Sequence, residues 1–176
     1  MRASGEICSK AWPRRPLAAC VAATLMLLPL SACAISVVNC QDAGAGSLRA
    51  AAAATASGGT IDMSGLTAAA PACATSTITL TTGQIDITQN KLTIIGPGQD
   101  HLTISGGDTL RVFRHQAVVT TPNPELYISG VTISAGFQYG SAAKGACILG
   151  DSNLNNSNLH ITDTTVSGCV GKMGTE

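Results

Sequence analysis

The sequence predicts an all-β solenoid, a parallel β-helix preceded by one short helix, and three observations predict it. From residue 60 onward, short β-rich segments of mostly three to five residues follow one another, alternating apolar and polar side chains, with glycine, proline or asparagine between many of them. The phrase Leu126-x-Ile-Ser-Gly-Val-Thr-Ile-Ser returns as Leu159-x-Ile-Thr-Asp-Thr-Thr-Val-Ser, and Leu92-x-Ile-Ile-Gly precedes the first copy by almost the same interval. Self-similarity at a near-constant interval with variable insertions is the mark of a repeat architecture. The chain is also rich in small residues, with 19 glycines and 3% aromatics in 176 residues. A sandwich or barrel of short strands is the alternative, since the phrase spacing is only roughly regular.

The chain opens with Arg2, Lys10, Arg14 and Arg15, followed by the apolar run Leu17–Leu30 and the small residues Ser31-Ala32-Cys33-Ala34. A positive n-region, an apolar h-region and a small-residue cut site describe a secretory signal peptide over residues 1–34. The run is short of the roughly 20 residues needed to span a bilayer. Cleavage after Ala34 competes with a second scheme, in which Leu30-Ser31-Ala32-Cys33 acts as a lipobox and Cys33 becomes a lipidated mature N-terminus.

Beyond residue 34 six basic residues face nine acidic ones, and four cysteines remain, Cys40, Cys73, Cys147 and Cys169. That charge balance carries no basic patch of the kind that binds nucleic acid. An even cysteine count in an exported chain implies disulfides; three pairings are open, and chain order suggests Cys40–Cys73 and Cys147–Cys169. The interval between the last two is near one full coil, so they are expected at equivalent positions on adjacent turns. No short Cys-x-x-Cys knuckle points to a metal.

Residues 35–59 form an N-terminal unit. Ile35–Val38 is β-branched, Asn39–Gly46 is a loop, and Ser47 through Ala54 reads as a short helix capped by Ser47 and stopped by Gly58-Gly59. Coils then fill residues 60–176. The predicted strands are Thr60–Met63, Ser76–Leu80, Gln84–Thr88, Lys91–Ile95, His101–Ser105, Leu110–Phe113, Gln116–Val119, Leu126–Ser129, Val131–Ser134, Leu159–Thr162 and Thr165–Ser167. In Leu-x-Ile both large side chains point inward and the residue between them outward, so successive coils about 4.8 Å apart pile the apolar side chains into ladders. Leu102-x-Ile-Ser-Gly, which follows closely on Leu92-x-Ile, is another side of a neighbouring coil. The chain stops directly after a strand phrase, with no capping element, and the expectation is a β-helix incomplete at that end.

The stretch Val38-Asn-Cys-Gln-Asp-Ala-Gly-Ala-Gly-Ser-Leu-Arg49, with Gly58-Gly59-Thr60-Ile61, resembles the N-terminal module of bacterial exported right-handed parallel β-helix proteins, some of which carry a Cys-Ser-Leu-Arg-Glu-Ala signature. Gly96-Pro97-Gly98, Leu102–Gly107, Arg111–Phe113 and Thr165–Cys169 continue the similarity across residues 35–176. The resemblance implies a right-handed, pectate-lyase-like coil, a helix that caps the first turn, and a place outside the cell or on the outer membrane. Two departures stand out. Gly46 replaces the signature cysteine, and Ala50 replaces the glutamate that would complete a capping box with Ser47.

Chemistry on such a rod would lie on a flank. A lyase acting on acidic polysaccharide needs carboxylates for calcium and a basic residue beside the sugar acid. Candidates are Asp86, Asp100, Asp108, Asp151, Asp163, Lys91, Arg111 and Arg114. Each has a plainer reading: Asp86 as an outward strand residue, Asp100 and Asp108 as turn residues, Asp163 as a corner residue aligned with Gly130. Arg111 and Arg114, three apart, fall on opposite faces of a strand. His101, His115 and His160 read as incidental surface imidazoles. Gly96-Pro97-Gly98 lacks the Gly-Lys-Ser/Thr of a phosphate loop. Phe137, Tyr139 and Lys144, in the longest insertion, are the place to look for sugar stacking. The expected role is a structural or adhesive scaffold displayed outside the cell, with an extracellular glycan or cell surface as partner, no nucleic acid, no metal and no cofactor. A membrane would be reached only through a lipid anchor or a missing C-terminal region. The alternatives are a carbohydrate-active enzyme (lyase or glycoside hydrolase) whose site lies mostly in missing coils, and a non-catalytic outer-membrane lipoprotein.

Overall fold

The computed structural model describes residues 34–67, 69–117, 123–140, 144–150 and 157–173. The leader with Cys33, Asp151 and half of the predicted strand Gln116–Val119 lie outside the described residues. Among the described residues the fold is a parallel β-solenoid with a single short α-helix near its N-terminal end. Fourteen strands are described: β1 (Ala34–Ser36), β2 (Gly59–Asp62), β3 (Thr77–Thr79), β4 (Ile85–Ile87), β5 (Lys91–Ile95), β6 (Thr103–Ser105), β7 (Phe113–His115), β8 (Glu125–Ser129), β9 (Thr132–Ser134), β10 (Phe137–Tyr139), β11 (Ile148–Gly150), β12 (Asn158–Thr162), β13 (Thr165–Ser167) and β14 (Val170–Lys172), with helix α1 (Leu48–Ala54) between the first two. They stack into four parallel sheets, in the orders β1-β2-β5-β8-β12, β3-β6-β9-β13, β4-β7-β11 and β10-β14.

Register turns the repeated phrase into a coil. In the first sheet Ile35 pairs with Ile61, Ile61 with Ile94, Ile94 with Ile128 and Ile128 with Ile161. The second sheet stacks Ile78, Ile104, Ile133 and Val166, and the third stacks Ile85, Phe113 and Ile148. Because side chains alternate along a strand, one inward residue fixes the inward set of its whole coil, and the three columns meet in one apolar core. Leu102-x-Ile belongs to the same coil as Leu92-x-Ile, on its second sheet.

One coil is therefore the interval from Leu92 to Leu126, or from Leu126 to Leu159, and the shorter separation of 22 between Cys147 and Cys169 is not a turn. Cys147 precedes β11 in the third sheet, whereas Cys169 precedes β14 in the fourth, so the two are not equivalent positions. The expected pairings are nonetheless the ones formed: Cys40–Cys73 with Cα atoms 4.9 Å apart and Cys147–Cys169 with 5.3 Å. Gly136, one coil below Cys169, has no Cβ and so leaves the Cys147 sulfur its place.

Corners need residues that turn without side-chain bulk. A Cβ on Gly96 would come 2.2 Å from the Gly130 carbonyl oxygen of the next coil, so only glycine fits there. Gly130 itself has φ +69°, and Asp163, its counterpart one coil on, keeps that left-handed turn at φ +46°. Asp163 is the corner residue that the repeat alignment predicts.

The helix covers the expected residues, but Thr55 rather than Gly58 ends it. The Ser47 side chain accepts from the Ala50 N–H at 3.2 Å. At the other end Thr55 is already extended, and both its N–H and its hydroxyl return to the Ala51 carbonyl, ahead of Gly58. Leu48, Ala51 and Ala52 are buried, and α1 packs against β4, the edge strand of the third sheet. The predicted strand Leu110–Phe113 is displaced: β7 begins at Phe113, with Phe113 and His115 buried along it and Val112 buried just ahead of it. Four strands have no counterpart among the predicted ones, β1, β10, β11 and β14, and none carries the Leu-x-Ile phrase.

Candidate functional site

Two polar columns run along the solenoid and fix its corners. The first starts at Asp42. Its carboxylate accepts from the Arg49 guanidinium at 2.5 Å, from the Thr81 N–H and hydroxyl at 3.0 Å each, and from the Thr82 N–H and hydroxyl at 2.8 and 2.7 Å. Arg49 continues to the carbonyls of Gly83 and Gln84 at 2.6 and 2.7 Å. The Gln84 side-chain oxygen then accepts from Arg111 at 2.8 Å, and Arg111 reaches the carbonyls of Gly145 and Lys144 in the coil beyond, at 2.8 and 2.9 Å. Arg111 is buried and works as a strut between coils.

The second column lies inside the opposite corner. Gln89 donates from its amide to the Ala52 and Thr55 carbonyls at the end of α1 (2.7 and 2.8 Å), its own carbonyl meets His115 Nε2 at 2.8 Å, and His115 Nδ1 meets the Ser157 hydroxyl. A carbonyl only accepts, so Nε2 carries the proton and Nδ1 accepts from Ser157. His115 is thus no surface imidazole: it faces inward, above Ile87 and beneath Gly150, and is 1% exposed. Its strand parity gave the signal, since it stands two residues from the inward Phe113.

Both columns carry perturbed titratable groups. Burial raises the Asp42 carboxyl, but the Arg49 guanidinium and the Thr82 and Thr81 donors outweigh it and hold the group far below its ordinary 3.8. Burial also pushes the His115 imidazole below its ordinary 6.5, against the smaller opposing effect of the Gln89 carbonyl. Each group is more acidic folded than unfolded. The stability each gives is therefore full above its unfolded pKa and is lost as pH falls through the folded one. We expect thermal stability to decline in two stages on acidification, beginning below about pH 6.5 from His115 and steepening below about pH 4 from Asp42. The check is a melting-temperature profile from pH 2 to 8: Asp42→Asn should flatten its acid limb and leave the upper stage in place.

The remaining candidates are dispersed. Asp86 faces outward beside Arg114, its register partner on β7. Asp100 and Asp108 lie exposed in turns. Lys91 pairs with Glu125 at 3.3 Å and stands 5.3 Å from the centre of the Tyr127 ring. His101 is exposed in a turn, and His160 faces outward from β12, stacked on Tyr127 with centroids 4.3 Å apart. No group of three His, Cys, Asp or Glu side chains is placed to hold a metal among the described residues.

Phe137 and Tyr139 are brought together. They are not on a loop; they are the first and last residues of β10, so both point to the same side. With Gln84, Thr109, Leu110, Arg111 and Gln138 they line a surface groove of about 390 Å³. The Phe137 N–H bonds the Leu110 carbonyl at 2.9 Å and β10 pairs with β14, which anchors the aromatic pair to the coil on both sides. Tyr139 is 63% exposed, and Gln84 and Gln138 also line the groove. Lys144 does not line the groove; its carbonyl holds Arg111 instead. Comparison with protein-family models, curated proteins and solved structures finds no match.

Proposed function

We propose that the chain is an exported scaffold, a right-handed β-solenoid that presents a glycan-binding groove outside the cell in a structural or adhesive role. The observation that carries this reading is the exposed Tyr139 ring beside Phe137 on a strand fixed from both sides, in a groove that Gln84 and Gln138 also line. Sugars bind through stacking of their C–H faces on aromatic rings and through directional hydrogen bonds to amides and hydroxyls, and a rigid platform keeps the ordering cost of binding low. Right-handedness follows from the strong preference of parallel strands for right-handed crossovers. Export is supported by the leader's charge and apolar pattern and by two paired disulfides, which persist in oxidising compartments.

A glycan array probed with the purified protein tests the recognition. We expect an oligosaccharide ligand of micromolar to millimolar Kd, weakened at least about tenfold by Tyr139→Ala, the loss of one stacked ring being worth roughly 1.4 kcal/mol or more. Failure to bind any glycan, or binding indifferent to Tyr139, would remove the groove from the account. Mass spectrometry of the mature N-terminus tests the export scheme: a free terminus at Ile35 marks plain secretion, and a diacylated Cys33 marks a lipid-anchored envelope protein.

A further inference from the structure

The corner at His115 holds a polar pair that packing does not require. In register, one inward position reads Ile87, His115 and Gly150 on successive coils. Isoleucine fills it one coil below, so the corner itself does not call for an imidazole, and a buried imidazole costs free energy unless its nitrogens are satisfied. Gly150 makes room above the ring: a Cβ there would lie 3.1 Å from the Ser157 Cβ and 3.5 Å from its hydroxyl oxygen. Three groups then stand in line. The His115 Nε2–H donates to the Gln89 carbonyl at 2.8 Å, and Nδ1, left with its lone pair, accepts from the Ser157 hydroxyl. Both ends of the line are held. Gln89 is tied by its amide to the Ala52 and Thr55 carbonyls, and Ser157 is followed by the Asn158 N–H, which bonds the Pro124 carbonyl at 2.8 Å. Ser157 is partly exposed and His115 is buried, so the hydroxyl stands nearer the surface with the imidazole behind it.

We propose that Ser157 is an activated nucleophile, with His115 as its general base and the Gln89 carbonyl orienting the imidazole, and that it takes the acyl group of a carboxylic ester. A hydroxyl bonded to the free nitrogen of an imidazole whose other nitrogen is fixed by a third group is the arrangement that nucleophilic catalysis uses. In the first step the Ser157 oxygen adds to the ester carbonyl carbon and its proton passes to Nδ1. The bond to the leaving oxygen then breaks, and the alcohol departs with that proton, leaving an acyl-serine. Water adds next, giving a proton to Nδ1, and the acid leaves as the proton returns to the serine oxygen; the sum is ester plus water to acid plus alcohol. Burial, which holds the imidazole below its ordinary 6.5 against the smaller effect of the Gln89 carbonyl, keeps it in the neutral form that a base needs at neutral pH. This chemistry is separate from the Tyr139 groove, and neither depends on the other.

Labelling of the full chain with a fluorophosphonate, which captures activated serine hydroxyls with loss of fluoride, tests the proposal. Peptide mapping should place the label on Ser157, and p-nitrophenyl acetate should be hydrolysed by the parent protein but not by Ser157→Ala. His115→Ile, which installs the residue found at that position one coil below, should lower the labelling rate at least about a hundredfold with an unchanged far-UV circular dichroism spectrum. Should that variant not fold, the pH profile of the parent decides. Its labelling rate should rise through a group titrating below 6.5 and stay level from about pH 7 to 9. A rate that climbs about tenfold per pH unit up to pH 9 would mark an unassisted hydroxyl and overturn the proposal. So would a chain left unlabelled at Ser157, or labelling there that a folded His115→Ile variant leaves unchanged.

Discussion

Removing the Cys40–Cys73 bridge should lower the free energy of unfolding by about 3 kcal/mol, one of the two largest losses expected of this protein. The bridge joins cysteines separated by 33 in sequence, and the chain-entropy relation puts the cost of such a loop at roughly 3–4 kcal/mol. Its place adds to the effect. Cys40 lies in the first coil and Cys73 in the second, ahead of β3, so the bridge joins the N-terminal unit to the first complete coil; the Cys40 N–H also bonds the Ala72 carbonyl at 3.1 Å. The measurement is denaturant unfolding of Cys40→Ser/Cys73→Ser beside the parent protein. An equally stable double variant would mean that the first coil is held by α1 and Asp42 alone. The Cys147–Cys169 pair has a similar entropic value but anchors an outer coil, and its loss should loosen residues 157–173 before the rest.

The second large effect is a gradient along one column. Ile94→Ala should cost about 3 kcal/mol, since Ile94 is fully buried with a ladder neighbour on either side and deletion leaves a cavity between coils that cannot collapse. Ile161→Ala, the same residue of the same phrase two coils on, should cost about 1 kcal/mol or less, because it is packed from one side. Equal losses at the two positions would mean that the last described coil is covered in the protein as measured.

How much of this was legible in the sequence depends on what each position's alternation encodes. The repeated Leu-x-Ile phrase carried its own register, because period-two burial leaves one inward set and a near-constant repeat interval leaves one stacking. Ile94 over Ile128 followed from that alone. The short helix was legible for a different reason: Ser47 supplies a local cap and the alanines supply propensity. What escaped lacks a local signal. The strands β10, β11 and β14 are held by pairing with strands a full coil away, and Phe-Gln-Tyr, Ile-Leu-Gly and Val-Gly-Lys say little about it. The disulfide spacing misled, because a coil with four sides lets cysteines on different sides meet without being one turn apart. Of the candidate loop, Phe137 and Tyr139 come to line one groove, while Lys144 meets it only through the carbonyl that holds Arg111. His115 was misread, and the struts of Arg111 went unseen, for a common reason: a polar side chain buried at a solenoid corner is satisfied by groups of other coils, and those partners are invisible to any local pattern.

Methyl–methyl nuclear Overhauser effects in a protein ¹³C-labelled at isoleucine methyl groups test the stacking itself. The account predicts an unbroken series from Ile61 to Ile94 to Ile128, and a parallel series from Ile78 to Ile104 to Ile133, each step linking side chains of successive coils. Absence of those contacts, or isoleucines of one phrase meeting an antiparallel neighbour instead, would contradict the solenoid.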